Sequence, residues 1–361
     1  DLILQNYKSA LERYREFLRK FPSNAHGGFA MTRLGEVLEI LGAKEDRVLG
    51  AYLESFFRYR NSLGADVARM RVLSKRLKDM RENESRVAIQ EMRDLKTRST
   101  LPFINEFATV LMTDAMFSRK NYDETIQNLV SFYQQNPTSQ KLDIIRERVV
   151  RAVSEKIRYQ VANNEPMDAL HTFSKYESTW LSQADRIDVH YSVANAFEQL
   201  GVFQEANNIY RETINKIYAM QGTDVAKERS VFEVLPSADE VNIRLAATAY
   251  EQKNFSESLR YLKSVQNREQ MKPQQQIEWV ELASKVAVEK GQIKEAKSLV
   301  GSLVSTWRGV PTQLSLPLLH FADLQAQTDD LDGAHHSLQR IIEMEEDTQE
   351  VPDQIYAEIG R

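Results

Sequence analysis

The segment Val189–Tyr210, VHYSVANAFEQLGVFQEANNIY, contains two helix patterns separated by a short break. Before the break, apolar residues recur at the three-to-four spacing of an amphipathic helix, at Val189, Val193, Phe197 and Leu200. After Gly201, a large, a small and another large residue follow at the same spacing, at Phe203, Ala206 and Tyr210. The segment therefore predicts a hairpin of two helices.

The second half of this pattern recurs along almost the whole chain. Its anchor residues stand at positions 7, 44, 85, 122, 166, 203, 255, 293 and 331, so neighbouring anchors are 37 to 52 residues apart. The copies around Lys44, Ser85 and Pro166 lack one or more of the expected residues. Such a period is typical of arrays built from one repeated supersecondary unit.

A small residue follows three positions after the anchor in four clear copies, at Ala10, Ala206, Ala296 and Ala334. A small side chain there lets the two helices of a hairpin approach closely, and the large residues that follow fill the space between hairpins. We therefore expect an all-α fold, a right-handed α-solenoid of helix–turn–helix hairpins. The whole chain, 1–361, is expected to form a single superhelix of about eight full repeats with a partial repeat at each end.

These features resemble the tetratricopeptide repeat. The matching elements are the Leu34-Gly35 pair in a first helix, the small residue early in a second helix, and Pro22 and Pro137 just after a second helix. The stretch from Tyr7 to Ser23 is similar to repeats of bacterial envelope proteins, including barrel-assembly lipoproteins and periplasmic coordinators. The resemblance implies a protein–protein interaction scaffold, and its envelope variant favours the bacterial periplasm or envelope over the cytoplasm.

Composition excludes several other classes of protein. Glycine and proline are scarce, at 13 and 9 of 361 residues, which disfavours turn-rich sandwiches and barrels. The chain has no cysteine, so disulfides and thiol chemistry are excluded. No apolar run reaches the roughly 18 residues of a membrane span. The net charge of −5 gives no overall electrostatic reason to bind nucleic acid.

The first helices of stacked hairpins line the concave face of such an array, where a peptide or partner helix binds. The residues predicted to point into this face are Asp114, Phe117, Arg158, Tyr191, Asn195, Arg244, Tyr250, Glu281, Lys285 and Asp323. Simple solvent exposure is the alternative for each of them. The family's clamp for a terminal carboxylate is not predicted, because Tyr191 stands where that clamp requires lysine.

Two segments stand out from the repeat. The 52-residue spacing before Phe255 indicates an insertion near 222–239, either a plain longer loop or a loop that contacts a partner. The segment from Arg69 to Arg98 contains ten basic and five acidic residues. We expect a solvated helix pair with ion pairs three or four residues apart, and binding to nucleic acid or anionic lipid is the alternative.

Both ends fall within a repeat, because Tyr7 opens a second helix and Tyr356 to Gly360 resemble the Leu-Gly region of a first helix. We therefore expect a piece of a longer array, with natural half-repeat caps as the alternative.

No recognisable catalytic frame is present. The sequence lacks a phosphate-binding glycine loop, a nucleophile elbow and a His-Glu-x-x-His pair. We expect His320, His335 and His336 to be ordinary surface histidines, and a metal site of His320 with His335 or His336 is the alternative. We expect no cofactor, no metal and no enzymatic activity. The alternative is the recruiting arm of an enzyme whose catalytic domain lies outside this chain.

Overall fold

The computed structural model describes residues 6–98, 102–221, 223–224, 233–268 and 271–348. The chain divides into two compact units, 1–156 (the first unit) and 157–361 (the second unit). The described residues are helical and include no β-strand. The predicted insertion lies partly outside the described residues, and so do Asp1 and Tyr356 to Gly360, on which the expectation for the two ends rests.

The helices of the first unit are α1 (Tyr7–Lys20), α2 (Gly27–Ile40), α3 (Glu45–Arg58), α4 (Leu63–Arg76), α5 (Glu82–Arg98), α6 (Pro102–Ser118) and α7 (Tyr122–Gln135). Helix α8 (Leu142–Ala162) contains the boundary between the units. The second unit continues with α9 (Pro166–Tyr176), α10 (Ile187–Gln199), α11 (Phe203–Met220), α12 (Ala238–Glu251), α13 (Phe255–Ser264), α14 (Pro273–Glu289), α15 (Ile293–Thr306), α16 (Ser315–Ala326) and α17 (Leu331–Thr348).

The described helices alternate as the repeat predicts, so the fold is an all-α solenoid of helix hairpins. Even-numbered helices are the first helices of hairpins, and odd-numbered helices are the second. Seven of the nine predicted anchors are the first residue of a second helix, at Tyr7, Tyr122, Pro166, Phe203, Phe255, Ile293 and Leu331. Lys44 immediately precedes α3, and Ser85 lies in the first turn of α5.

Seven of the eight described hairpins share one backbone conformation in their turn, and the exception is the turn between α4 and α5. A residue with positive φ follows α2, α6, α8, α10, α12, α14 and α16; these residues are Gly42, Lys120, Asn164, Gly201, Lys253, Gly291 and Asp329. The next amide bonds back to a carbonyl five residues earlier, as Val202 N does to Phe197 O at 2.9 Å. This is the Schellman arrangement, which satisfies carbonyl groups at the end of a helix.

The interior follows the predicted pattern. The small residues Ala206 and Ala296 are fully buried, and Ala10 and Ala334 are nearly so. Tyr210 is also fully buried, and it packs with Ala194, Ile214 and Leu245 in a cluster between α10, α11 and α12. Within each unit, neighbouring hairpins therefore bury their apolar stripes against one another, which leaves the polar side of the first helices available for a site.

Candidate binding groove

All ten residues predicted for the binding face lie on first helices. Asp114 and Phe117 lie on α6 of the first unit, and the other eight lie on α8, α10, α12, α14 and α16 in the second unit. Whether they contact a partner remains a prediction.

Four of the ten come together in one groove of the second unit. Arg158, Tyr191, Asn195 and Arg244 line a cavity of about 790 Å³ that extends across α8, α10, α12 and α14. Tyr250, Glu281, Lys285 and Asp323 are not among the residues that line it. The groove thus contains only part of the predicted binding face.

Hydrogen bonds fix the polar side chains of this groove. Tyr191 donates its hydroxyl to Glu240 Oε1 at 3.0 Å. Tyr210 donates to Glu198 Oε2 at 2.6 Å and lies within hydrogen-bond reach of Asn195. The two tyrosine rings pack with their centroids 5.8 Å apart. Since Glu240 and Glu198 each accept from a tyrosine hydroxyl, these two carboxylates are preorganised in the groove.

Arg244 lies between two carboxylates from neighbouring helices. It donates to Glu198 Oε1 at 3.2 Å and forms a second ion pair with Glu278. Burial raises the pKa of Tyr191, with a further contribution from Glu240, and burial also raises the pKa of Tyr210 beside Glu198. Both phenols therefore stay protonated and act as donors.

The sequence analysis missed three of these residues, Glu198, Glu240 and Glu278. Glu198 follows Tyr191 and Asn195 at helical spacing, so the same stripe could have indicated it. Glu240 stands four residues before Arg244 and could have been found in the same way. The approach of Glu278 to Arg244 depends on the packing of α12 against α14, for which the sequence has no local signal.

One wall of the groove is held by a buried ion pair. Arg186 and Asp188 have side chains that are only 7% and 8% exposed, and Arg186 Nε donates to Asp188 Oδ1 at 2.9 Å. Asp188 also accepts from the amide of Val234 at 3.3 Å, and Glu233 accepts from the amide of Ile187 at 3.0 Å. Val234, Leu235 and Pro236 line the groove. Together these two amide contacts connect the segment that leads into α12 to the start of α10.

Asp114 and Phe117 line a smaller pocket of about 180 Å³ in the first unit, between α6, α7 and α8. Arg148 forms an ion pair with Asp114, and the Arg151 guanidinium lies 5.0 Å from the centre of the Phe117 ring. Both predicted residues therefore already have intramolecular partners.

Tyr250 packs its ring 5.5 Å from that of Phe255, within its own hairpin. On the next two first helices, Ser284 Oγ and His320 Nε2 are 2.7 Å apart. Ser284 is fully buried, so this contact joins α14 to α16 and presents no accessible nucleophile. Among the described residues, no group of three or more ligand-type side chains is arranged to hold a metal ion.

We expect the stability of the second unit to fall as the pH decreases from about 7 to 5. Burial lowers the pKa of His320; Asp323 acts in the opposite direction, and Lys285 lowers the pKa further. Burial also lowers the pKa of His190, and the positive charge of Lys216 adds to this effect. The nearby carboxylates of Asp185, Glu212 and Glu177 act in the opposite direction on His190. Unfolded histidine titrates near about 6.5, so below that pH the unfolded chain binds more protons than the folded one.

Urea unfolding at several pH values measures this effect. The pH dependence of the free energy of unfolding is compared between the parent and His320→Gln. Carboxylates such as Glu281, whose pKa burial raises, contribute equally to both proteins, so the difference is due to His320. An identical pH slope in the two proteins would contradict the prediction.

The basic residues of α4 and α5 form many ion pairs. Arg86 pairs with Glu82 at the predicted four-residue spacing. Other pairs join different helices of the first unit: Arg69–Glu91, Arg71–Glu36, Lys75–Glu39 and Arg93–Glu124. The expected ion pairing is therefore present, but most of these pairs form between helices, because the helices pack closely enough for long side chains to reach across.

No known protein family has a profile that matches the chain, and no curated protein matches it. Solved structures do match. The chain resembles tetratricopeptide repeat proteins. The repeat protein from Parabacteroides merdae is 11% identical with a TM-score of 0.32, and the match covers 92% of this chain and 99% of that one.

Human IFIT1 is 11% identical with a TM-score of 0.41, over 94% of this chain and 81% of that one. The apo form of RapI is 11% identical with a TM-score of 0.37, over 98% and 100% of the two chains. None of the described helices has the length and apolar content needed to cross a bilayer.

Proposed function

We propose that the chain is a non-catalytic protein–protein interaction scaffold that holds a segment of a partner against its first helices. The observation that carries this proposal is the groove of the second unit. It extends over four successive first helices and combines the aromatic rings of Tyr191 and Phe203 with preorganised polar groups. Such a surface suits an extended peptide or a partner helix. The ten predicted face residues, four of them in this groove, are its proposed contacts.

The charge of the groove supports a basic partner segment. Apart from Asp188, whose charge Arg186 neutralises, its acidic residues are Glu198, Glu240, Glu251 and Glu278, and its basic residues are Arg158, Arg244 and Lys272. The acidic excess favours lysine or arginine side chains in the ligand. The aromatic rings of Tyr191 and Phe203 could pack against the methylene stems and cationic heads of those side chains.

Arg244 is unsuitable for a charge-reversal test, since a carboxylate there would face Glu198 and Glu278. The exposed residues Glu251 and Lys272 form a better pair, because both line the groove and carry opposite charges. Peptides selected by display against the whole chain should be rich in basic residues. We expect Glu251→Lys to weaken their binding several-fold and Lys272→Glu to strengthen it.

Each substitution should change the free energy of unfolding by less than about 0.5 kcal/mol, because both side chains are exposed. Affinity measured by fluorescence anisotropy at two salt concentrations tests the charge effect. Equal affinity of both variants for the selected peptides, or shifts of the same sign, would refute the basic-partner assignment.

We also propose that this scaffold belongs to a bacterial envelope assembly. The support is the similarity of the stretch from Tyr7 to Ser23 to repeats of envelope proteins. Fractionation of cells that express the full-length protein with a tag tests this placement. Recovery in the cytoplasmic fraction alone would refute it.

A further inference from the structure

The first helices of the first unit enclose an apolar slot that is separate from the groove described above. The slot has a volume of about 240 Å³ and lies between α2, α4 and α6. Its apolar lining consists of Phe29, Val67, Phe107 and Val110. Phe29 keeps 40% of its surface exposed, although a large apolar side chain gains by being covered. The slot is therefore a place where a hydrophobic group would be stabilised.

Two arginines hold the rings of the slot. The Arg33 guanidinium lies 4.9 Å from the centre of the Phe29 ring, and that of Arg71 lies 4.7 Å from the centre of the Phe107 ring. Both arginines bind Glu36, at 2.6 Å for Arg33 and 3.1 Å for Arg71. One carboxylate thus fixes two cation–ring pairs, and the rim is preorganised.

The slot and its immediate surroundings carry a positive excess. Arg33 and Lys141 line the slot together with two acidic residues, Glu36 and Glu106. Arg71, which binds Glu36 and lies against the Phe107 ring, adds a third basic group beside it. Each oxygen of Glu36 is taken by one arginine, and Glu106 accepts from the Ser139 hydroxyl at 2.5 Å. Glu36 accepts one N–H group of Arg33, so this partly exposed guanidinium keeps further donors for an incoming carboxylate.

We propose that this slot binds a partner segment that presents a large hydrophobic side chain next to an acidic residue. The hydrophobic side chain enters between Phe29 and Phe107, and the neighbouring carboxylate binds at Arg33 and Lys141. The charge of the preferred ligand is opposite to that proposed for the groove in the second unit, which favours basic segments. The proposal stands on contacts within the first unit and does not depend on the function proposed for the groove.

The test uses the whole chain and an acetylated, amidated peptide of sequence Gly-Glu-Glu-Phe-Glu-Glu-Gly. Two matched peptides replace Phe by Ala or all Glu by Lys. Methyl NMR of Val67 and Val110 reports where the peptide binds, and titration of the shifts measures the affinity. We expect the Ala peptide to bind at least about tenfold more weakly, because it lacks the buried ring. The Lys peptide should not shift these methyl groups.

Two protein variants complete the test. Arg33→Glu should weaken binding of the Phe peptide several-fold, whereas Arg340→Glu, an exposed arginine on α17 of the second unit, should not change it. The helical content and the unfolding midpoint of both variants confirm that they are folded. The proposal is overturned if the Phe peptide does not bind at millimolar concentration, if the Ala or Lys peptide binds equally well, or if the shifts occur only in the second unit. Equal affinity of Arg33→Glu and the parent would likewise overturn it.

Discussion

Replacing Arg186 by methionine is expected to lower the free energy of unfolding of the second unit by about 3–5 kcal/mol. Arg186 and Asp188 are each more than nine-tenths buried and bind through two parallel hydrogen bonds. Without Arg186, the Asp188 carboxylate keeps the weak contact with the Val234 amide at 3.3 Å, which cannot compensate for a buried charge. Urea unfolding followed by circular dichroism measures the loss.

Two controls separate the buried charge from the loss of a long side chain. The double variant Arg186→Met, Asp188→Leu should recover most of the stability, because no unpaired charge remains. Lys216→Met removes a partly exposed ion pair with Asp185 in the same unit and should cost no more than about 1 kcal/mol. If Arg186→Met is no more harmful than Lys216→Met, the pair is not essential for holding the wall of the groove.

The sequence was sufficient to locate the second helices, because their amphipathic pattern is local. The anchors at Tyr122, Phe203, Phe255 and Ile293 are each the first residue of a helix. At Ser85 the pattern was weaker, and α5 begins three residues earlier, at Glu82. Acidic Glu82 and Glu84 suit the first turn of a helix, which explains the earlier start.

The hairpin turns were only partly predictable. Gly42, Gly201 and Gly291 indicate a left-handed residue directly, since glycine adopts positive φ without steric cost. Lys120 and Lys253 occupy the same position with φ near 60°, although lysine has no preference for positive φ. At these two turns the packing of the hairpin and the Schellman hydrogen bonds determine the backbone.

The sequence predicted which helix surfaces carry the candidate face, but not which side chains contact one another across helices. Helical spacing placed Tyr191, Asn195 and Arg244 on first helices, and the structure brings them into one groove. Their charge partners lie on other turns and other helices, as Glu278 does for Arg244. Such contacts depend on distances between helices, which a single sequence does not encode in any local pattern.

Gly64→Ala is expected to destabilise the first unit by about 1–3 kcal/mol or more, because overpacking would force α2 and α4 apart. A methyl group on Gly64 would lie 2.2 Å from the carbonyl carbon of Gly28 and from the amide nitrogen of Phe29. These are backbone atoms, so no side-chain rotation relieves the clash. The separation would also disturb buried Thr32, whose Oγ1 lies 2.8 Å from Gly64 O and 2.9 Å from Ser55 Oγ.

The matched control is Gly50→Ala in the middle of α3. No atom beyond the adjoining residues and the backbone of its own helix lies within 4 Å of a methyl group at that position, and alanine favours a helix over glycine by about 0.8–1.0 kcal/mol. The same chemical change should therefore stabilise the first unit at Gly50 and destabilise it at Gly64, as measured by urea unfolding. Because each hairpin contacts mainly its neighbours, protection of the second-unit amides against hydrogen exchange should remain unchanged in both variants. If Gly64→Ala were as stable as the parent or more stable, the close approach of α2 and α4 at Gly64 would be wrong.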